Sequence, residues 1–249
     1  MSVIAVERIK LFSTRSPWWC MVVAAVLTLG LAALASAFTQ GTVTIGLTQG
    51  GAQLSQMVMM VMAALAVTTE YRFGTIRTSF QAVPQRAALL LGKTAVVAGL
   101  SALVGLVASF GAWGIGNIFA NGSDLSINTG AEWRLLAGQG LVFALSAVIA
   151  VAIGILIRQS AGAIAILILW PLLVENLFNL IPKVGDDMSR WSPFQNAASF
   201  LNQGQDFGVN GPQGDSQYAM GPWWALLYFA GWAAVLMAIA LFSASKRDA

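Results

Sequence analysis

Few residues in this chain are suited to acid–base, nucleophilic or ligating chemistry. Histidine is absent, and Cys20 is the one cysteine. A Ser-His-Asp triad, a Cys-His pair and a His/Cys zinc site are therefore excluded within the chain. There is no G-x-x-x-x-G-K-[ST] phosphate loop, so nucleotide is not expected to bind by that route. The ionisable residue that stands out is Glu175, the one charge inside an apolar stretch of spanning length. Asn176 adjoins it and Asn179 follows at i+4. Ionisable groups inside a membrane are functional hypotheses by default. Glu175, Asn176 and Asn179 are thus a candidate substrate pathway, attractive to a cationic molecule. The plainer alternative is an interfacial carboxylate that reaches water and pairs with Lys183. One carboxylate without a histidine supplies neither an aspartyl dyad nor a metal site, so no catalytic or metal-binding residue is assigned and the chain alone is not expected to be an enzyme.

The elements that must carry these residues follow from composition. Of 249 residues, 57% are apolar and 9% charged, and the mean hydropathy is +0.74. Soluble domains carry about 25% charged residues, and disordered chains are poor in apolar ones. The remaining class is an all-α integral membrane protein. Charges are so sparse that their gaps outline the spans: none occurs in Ser16–Thr69, Thr94–Ser123, Leu135–Ile157, Gln159–Val174 or Ser216–Ser245. A spanning helix needs about 20 apolar residues. The first gap holds two such stretches, separated by the polar run Thr39–Gln56. Six spans are predicted, about 18–38, 53–69, 91–118, 135–157, 161–180 and 222–244, in one membrane domain covering 1–249.

With six spans both termini share a side. That side receives Arg8, Lys10, Arg15, Arg72, Arg77, Arg86, Lys93, Arg158, Lys246 and Arg247, and the other only Arg134, Lys183 and Arg190. The positive-inside rule then puts both termini in the cytoplasm of a multi-pass protein of the cell (inner or plasma) membrane. Two cytoplasmic segments read as interfacial amphipathic helices. At the N-terminus, Ala5, Ile9 and Phe12 share a face with Val6 beside it, while Glu7, Lys10 and Thr14 point elsewhere. In Glu70–Arg86, Phe73, Ile76, Phe80 and Val83 recur at steps of 3, 4 and 3, with Arg72, Thr75 and Ser79 on a polar face. On periodicity alone either segment serves as a basic membrane anchor. At the opposite side, Trp191-Ser192-Pro193-Phe194 followed by Gln195–Asn202 suggests a short helix against the bundle.

The run Glu70-Tyr71-Arg72-Phe73-Gly74-Thr75-Ile76-Arg77, with Pro84-Gln85-Arg86 and Lys93, resembles the E-[YF]-x-x-G-T-[IL]-R…P-x-R…K pattern of ABC-2 type transporter permeases. Ser192-Pro193-Phe194-Gln195-Asn196-Ala197 resembles that family's outer helix more weakly. The resemblance implies an N-terminal amphipathic helix, a cytoplasmic coupling helix between spans two and three, and a short outer helix before span six. It also implies an exporter whose energy comes from a separate ABC ATPase subunit, two per complex, which binds the ATP and Mg. No cofactor is expected in this chain. A second permease copy or paralogue, the lipid bilayer and the ATPase are the implied partners; nucleic acid is not. Glu70, Tyr71, Arg72, Phe73, Gly74, Thr75, Ile76 and Arg77 would form the ATPase-coupling interface, with Arg72 and Arg77 as charged donors, Gly74 permitting close backbone approach, and Glu70 holding the loop by pairing with a nearby Arg. The implied cargo is hydrophobic or amphipathic: a drug, antibiotic, lipid or peptide. A non-transporting scaffold or sensor that recruits a cytoplasmic partner is the alternative.

Other features read as packing. Met57, Met59, Met60 and Met62 crowd one helix start but face different sides. Trp18, Trp19, Trp223 and Trp224 mark span ends as an aromatic belt. Gly99, Leu103 and Gly111 suggest close helix contact in span three.

Overall fold

A computed structural model describes residues 3–39, 41–75, 86–119, 122–178, 188, 190–204 and 220–247. Nine helices carry the architecture among the described residues: α1 (Val3–Ser13), α2 (Arg15–Phe38), α3 (Ile45–Thr48), α4 (Ala52–Phe73), α5 (Arg86–Phe119), α6 (Gly130–Ile157), α7 (Ser160–Phe178), α8 (Pro193–Asn202) and α9 (Pro222–Arg247). Among the described residues six helical segments are long and apolar enough to cross a membrane, and they coincide with the six predicted spans to within about one to two turns. The second is the exception. It takes in α3 and runs from Ile45 to Phe73, so the polar run before it is largely part of the bundle.

Two apolar cores stack end to end. The first joins Leu11 of α1, Val67 of α4, Leu89 and Leu90 of α5, Ile155 of α6, and Ala240 and Ala244 of α9. The second joins Val43, Leu125, Leu135 and Leu136 with Phe200 of α8 and Phe229 of α9. The first therefore lies at the end carrying both termini, and the second at the far end. Outward faces stay apolar: Val22, Val26, Leu103, Val107 and Phe242 are exposed. A helix that is apolar on its outer face as well as its inner one is adapted to lipid, not water. Trp18, Trp19, Trp223 and Trp224 are likewise exposed at span ends.

Small residues bring the helices together. In α2 the buried positions Ala24, Thr28, Ala32 and Ser36 recur every four residues. Against this stripe Thr28 Oγ1 and Ser55 Oγ lie 2.5 Å apart, and Ser55 Oγ donates to the Ala24 carbonyl at 2.5 Å. A Cβ on Gly51 would fall 2.5 Å from the Leu27 carbonyl oxygen, so glycine is what allows this approach. The α5–α6 seam depends on Gly105 and Gly140, where a Cβ would lie 2.8 Å from Phe143 Cγ and 2.7 Å from Leu106 Cγ. This seam corrects part of the sequence expectation. A Cβ on Gly111 would lie 2.8 Å from Leu29 Cδ2, so α2 packs closely there, but one on Gly99 would meet no described residue within 4 Å, and Leu103 is exposed. All four methionines at the start of α4 are buried packing residues.

Gly140→Ala should destabilise the bundle by about 1–3 kcal/mol, because the added methyl overpacks the α5–α6 seam. Gly99→Ala should be neutral or slightly stabilising, since it fills open space in a helix. Thermal unfolding of the two purified variants in the same detergent compares them directly.

Candidate functional site

The residues of the predicted coupling interface sit at the terminal end. Helix α4 runs through Glu70, Tyr71 and Arg72 to Phe73 and stops at Gly74, whose φ of 71° is left-handed. Its N–H bonds back to the Tyr71 carbonyl at 3.3 Å. Glycine adopts this conformation without a Cβ penalty. Gly74 therefore ends a span, and among the described residues no neighbour lies within 4 Å of its Cβ position. Glu70–Phe73 likewise belong to the span and not to a separate interfacial helix. Arg72, Phe73, Gly74 and Thr75 are exposed. Ile76, Arg77 and the rest of the predicted coupling helix through Gln85 lie outside the described residues.

Beneath this exposed tip is a buried ionic cluster. Lys93 Nζ reaches Glu7 Oε2 at 2.5 Å and Glu70 Oε1 at 3.0 Å. Lys10 Nζ reaches Glu70 Oε1 at 2.6 Å and Glu7 Oε1 at 3.5 Å. Glu7, Glu70 and Lys93 are buried, whereas Lys10 is at the cluster's rim. Burial pulls the Lys10 ammonium down, but hydrogen bonding and charge from Glu70 and then Glu7 outweigh it and hold the group above its usual 10.5. The cluster thus ties α1 to the end of α4 and the start of α5. Glu70 pairs with two lysines and not, among the described residues, with an arginine. Tyr71 carries a second tie: the Arg158 guanidinium lies 4.9 Å from its ring centroid.

The cluster also changes the reading of α1. Glu7 and Leu11 face the bundle, while Ile4, Val6 and Ile9 are exposed. The expected polar face turns partly inward because counter-ions await it there, and the apolar face is left for lipid.

At the far end, Glu175 is buried, and its carboxylate accepts from three protein donors. The Phe194 and Gln195 N–H groups donate at 3.1 and 2.9 Å, and Trp170 Nε1 at 3.1 Å. Phe194 and Gln195 are in the first turn of α8, where helix N–H groups lack intrahelical partners. A carboxylate from α7 therefore caps α8 and does not pair with a lysine among the described residues. It does not line the cavity beside it. A π-turn at Trp170–Val174, containing Pro171, shapes this part of α7. Asn176 folds back onto its own helix, donating to the Leu172 carbonyl at 2.9 Å. Asn179 and Lys183 lie outside the described residues.

The opposite end of α8 is held by Arg134, which the sequence reading used only as an orientation marker. Its Nε donates to the Phe200 carbonyl at 2.7 Å, and its terminal nitrogen to the Gln203 carbonyl. Backbone donors and acceptors leave no mark in a sequence, so neither clamp is visible there.

The far-end cavity encloses about 300 Å³ between α3, α4, α6, α7 and α8. Its polar lining is made of carboxamides, among them Gln53, Gln56 and Gln139, beside Met57 and Met60. A second cavity of about 450 Å³ lies against the ionic cluster: Glu7, Lys10, Glu70 and Lys93 line it together with apolar side chains such as Met62, Leu65 and Val97.

In comparisons with known proteins, no family model matches this chain, and no curated protein matches it.

Lys93→Met should lower stability by about 3–5 kcal/mol, because Glu7 and Glu70 lose their shared counter-ion while buried. Adding Glu7→Leu to that variant should restore part of the loss; equal or additive losses in detergent unfolding would show that the pairs are not coupled. At the far end, Glu175→Ala should cost about 1–3 kcal/mol and speed amide exchange at Phe194 and Gln195 while leaving α4 unchanged, as read by hydrogen–deuterium exchange.

Proposed function

We propose that this chain is the membrane-spanning permease subunit of an ATP-driven exporter of the ABC-2 type, moving a hydrophobic or amphipathic cargo outward by alternating access. The observation that carries the reading is the exposed Arg72–Thr75 tip standing directly on the buried Glu7–Lys10–Glu70–Lys93 cluster. A docking element transmits force only if its base is rigid. Here the base is fixed to both the N-terminal helix and the following span.

Arg72 offers an exposed guanidinium, 5.6 Å from the Phe73 ring centroid, to carboxylates on a cytoplasmic partner. On this reading the terminal end is cytoplasmic, the partner is an ABC ATPase that binds ATP and Mg, and two permease chains assemble with two ATPases.

The test is isolation of the tagged chain from its native membrane in mild detergent, with co-purifying proteins identified and ATP hydrolysis assayed. A stoichiometric ATPase is expected. Reversing charge at Arg72 and Arg77 to Glu should reduce its recovery by about tenfold or more, given that hydrogen bonds to charged groups are worth about 1.5–3 kcal/mol. Undiminished assembly of the variant would remove the coupling assignment. Absence of any ATPase from intact wild-type chain would leave the scaffold reading.

A further inference from the structure

The far-end cavity has a feature that packing does not use. Gln139 is 4% exposed and lines the cavity, yet no described residue hydrogen-bonds its carboxamide. Its amide atoms are not among the chain's sealed, unpartnered polar atoms. They therefore face the open space that the residue lines. Buried amides are ordinarily hydrogen-bonded, and an exception in a cavity wants an explanation.

Neighbouring groups define what would fit. Gln56 spends its Nε2 on Ser146 Oγ at 2.7 Å, which leaves its carbonyl oxygen as an acceptor. Met57, Met60 and Leu201 supply adaptable apolar wall, and among the described residues no charged one lines the cavity. A carboxamide both donates and accepts. It complements a neutral group that does the same, whereas an ion would enter without a counter-charge.

We propose that this cavity binds an uncharged amphiphile bearing an amide or hydroxyl group, with its polar head on Gln139 and Gln56 and its apolar body on Met57 and Met60. As a cargo station the site rests on the permease reading; as a binding site it does not. The site lies within one chain and needs no ATPase, so binding and ATPase recruitment fail independently.

The probe is octanamide carrying a photoactivatable diazirine on its tail, applied to the purified chain in nanodiscs, with labelled peptides mapped by mass spectrometry. Saturable labelling near Met57, Met60 or Leu201 is expected, displaced at least about tenfold better by octanamide than by octanoate or octylammonium. Gln139→Leu should weaken binding about three- to tenfold, the loss of one neutral hydrogen bond. Ala198→Phe, which narrows the cavity at an exposed wall position, should abolish the saturable labelling while the protein stays monodisperse, and it decides the matter if Gln139→Leu does not fold. Non-saturable labelling of outward helix faces, equal competition by the three competitors, or unchanged binding in Gln139→Leu as when water alone serves that amide, would each overturn the proposal.

Discussion

Three charges withdrawn from water at the terminal end, with Lys10 at their rim, set the terms for the rest of the bundle. Removing an ion from water costs several kcal/mol even after relaxation. Glu7, Lys10, Glu70 and Lys93 therefore hold together or not at all, and their summed charge is zero. They come from three elements: α1, α4 and α5. Leu11 and the first apolar core pack beside them, so moving α1 would break ion pairs and expose apolar surface at once. The two bases of the segment between α4 and α5 are fixed by the same interaction. Whatever acts on the exposed Arg72–Thr75 tip acts on α1 and α5 as well.

The far end solves a related problem with different partners. Helix α8 has ten residues, too few for stability on its own. Glu175 meets its N-terminal N–H groups and Arg134 its C-terminal carbonyls. Each charge has the sign that the helix macrodipole favours at that end. One carboxylate and one guanidinium, from two different spans, thereby fix a short helix over the mouth of the bundle. Phe200 and Leu201 then bury themselves in the second core, which the clamp alone would not achieve.

How much of this was readable from the sequence depends on whether partners are local. The spans were legible because gaps between charges are a one-dimensional signal. So was a short helix here, expected over Gln195–Asn202 and found to start at Pro193, where proline suits the first helical position. Glu70 was picked out, but its partners lie 23 residues away at Lys93 and across the chain at Lys10. Pairing over that separation is settled by topology. The inward turn of Glu7 was missed for the same reason, because helical periodicity reports which residues share a face and not what that face meets. Glu175 was noticed as an intramembrane charge and read as open to cargo. Two of its three partners are backbone N–H groups, which every residue but proline carries. The Ala24–Thr28–Ala32–Ser36 stripe was present in plain spacing and went unread beside the more conspicuous glycines of α5.

The distribution of partners also bears on what such a protein can select. The buried charged residues among those described are Glu7, Glu70, Lys93 and Glu175, and each already serves another part of the chain. A charged ligand inside the bundle would have to break one of those structural pairings or go without a counter-ion. In the far-end cavity the polar lining is largely carboxamide, and it meets the methionines of α4 there. Carboxamides distinguish hydrogen-bonding shape without attracting either sign of charge. A bundle that commits its charges to its own architecture therefore discriminates by neutrality at the place where a ligand fits, and its rigidity and its selectivity have one origin.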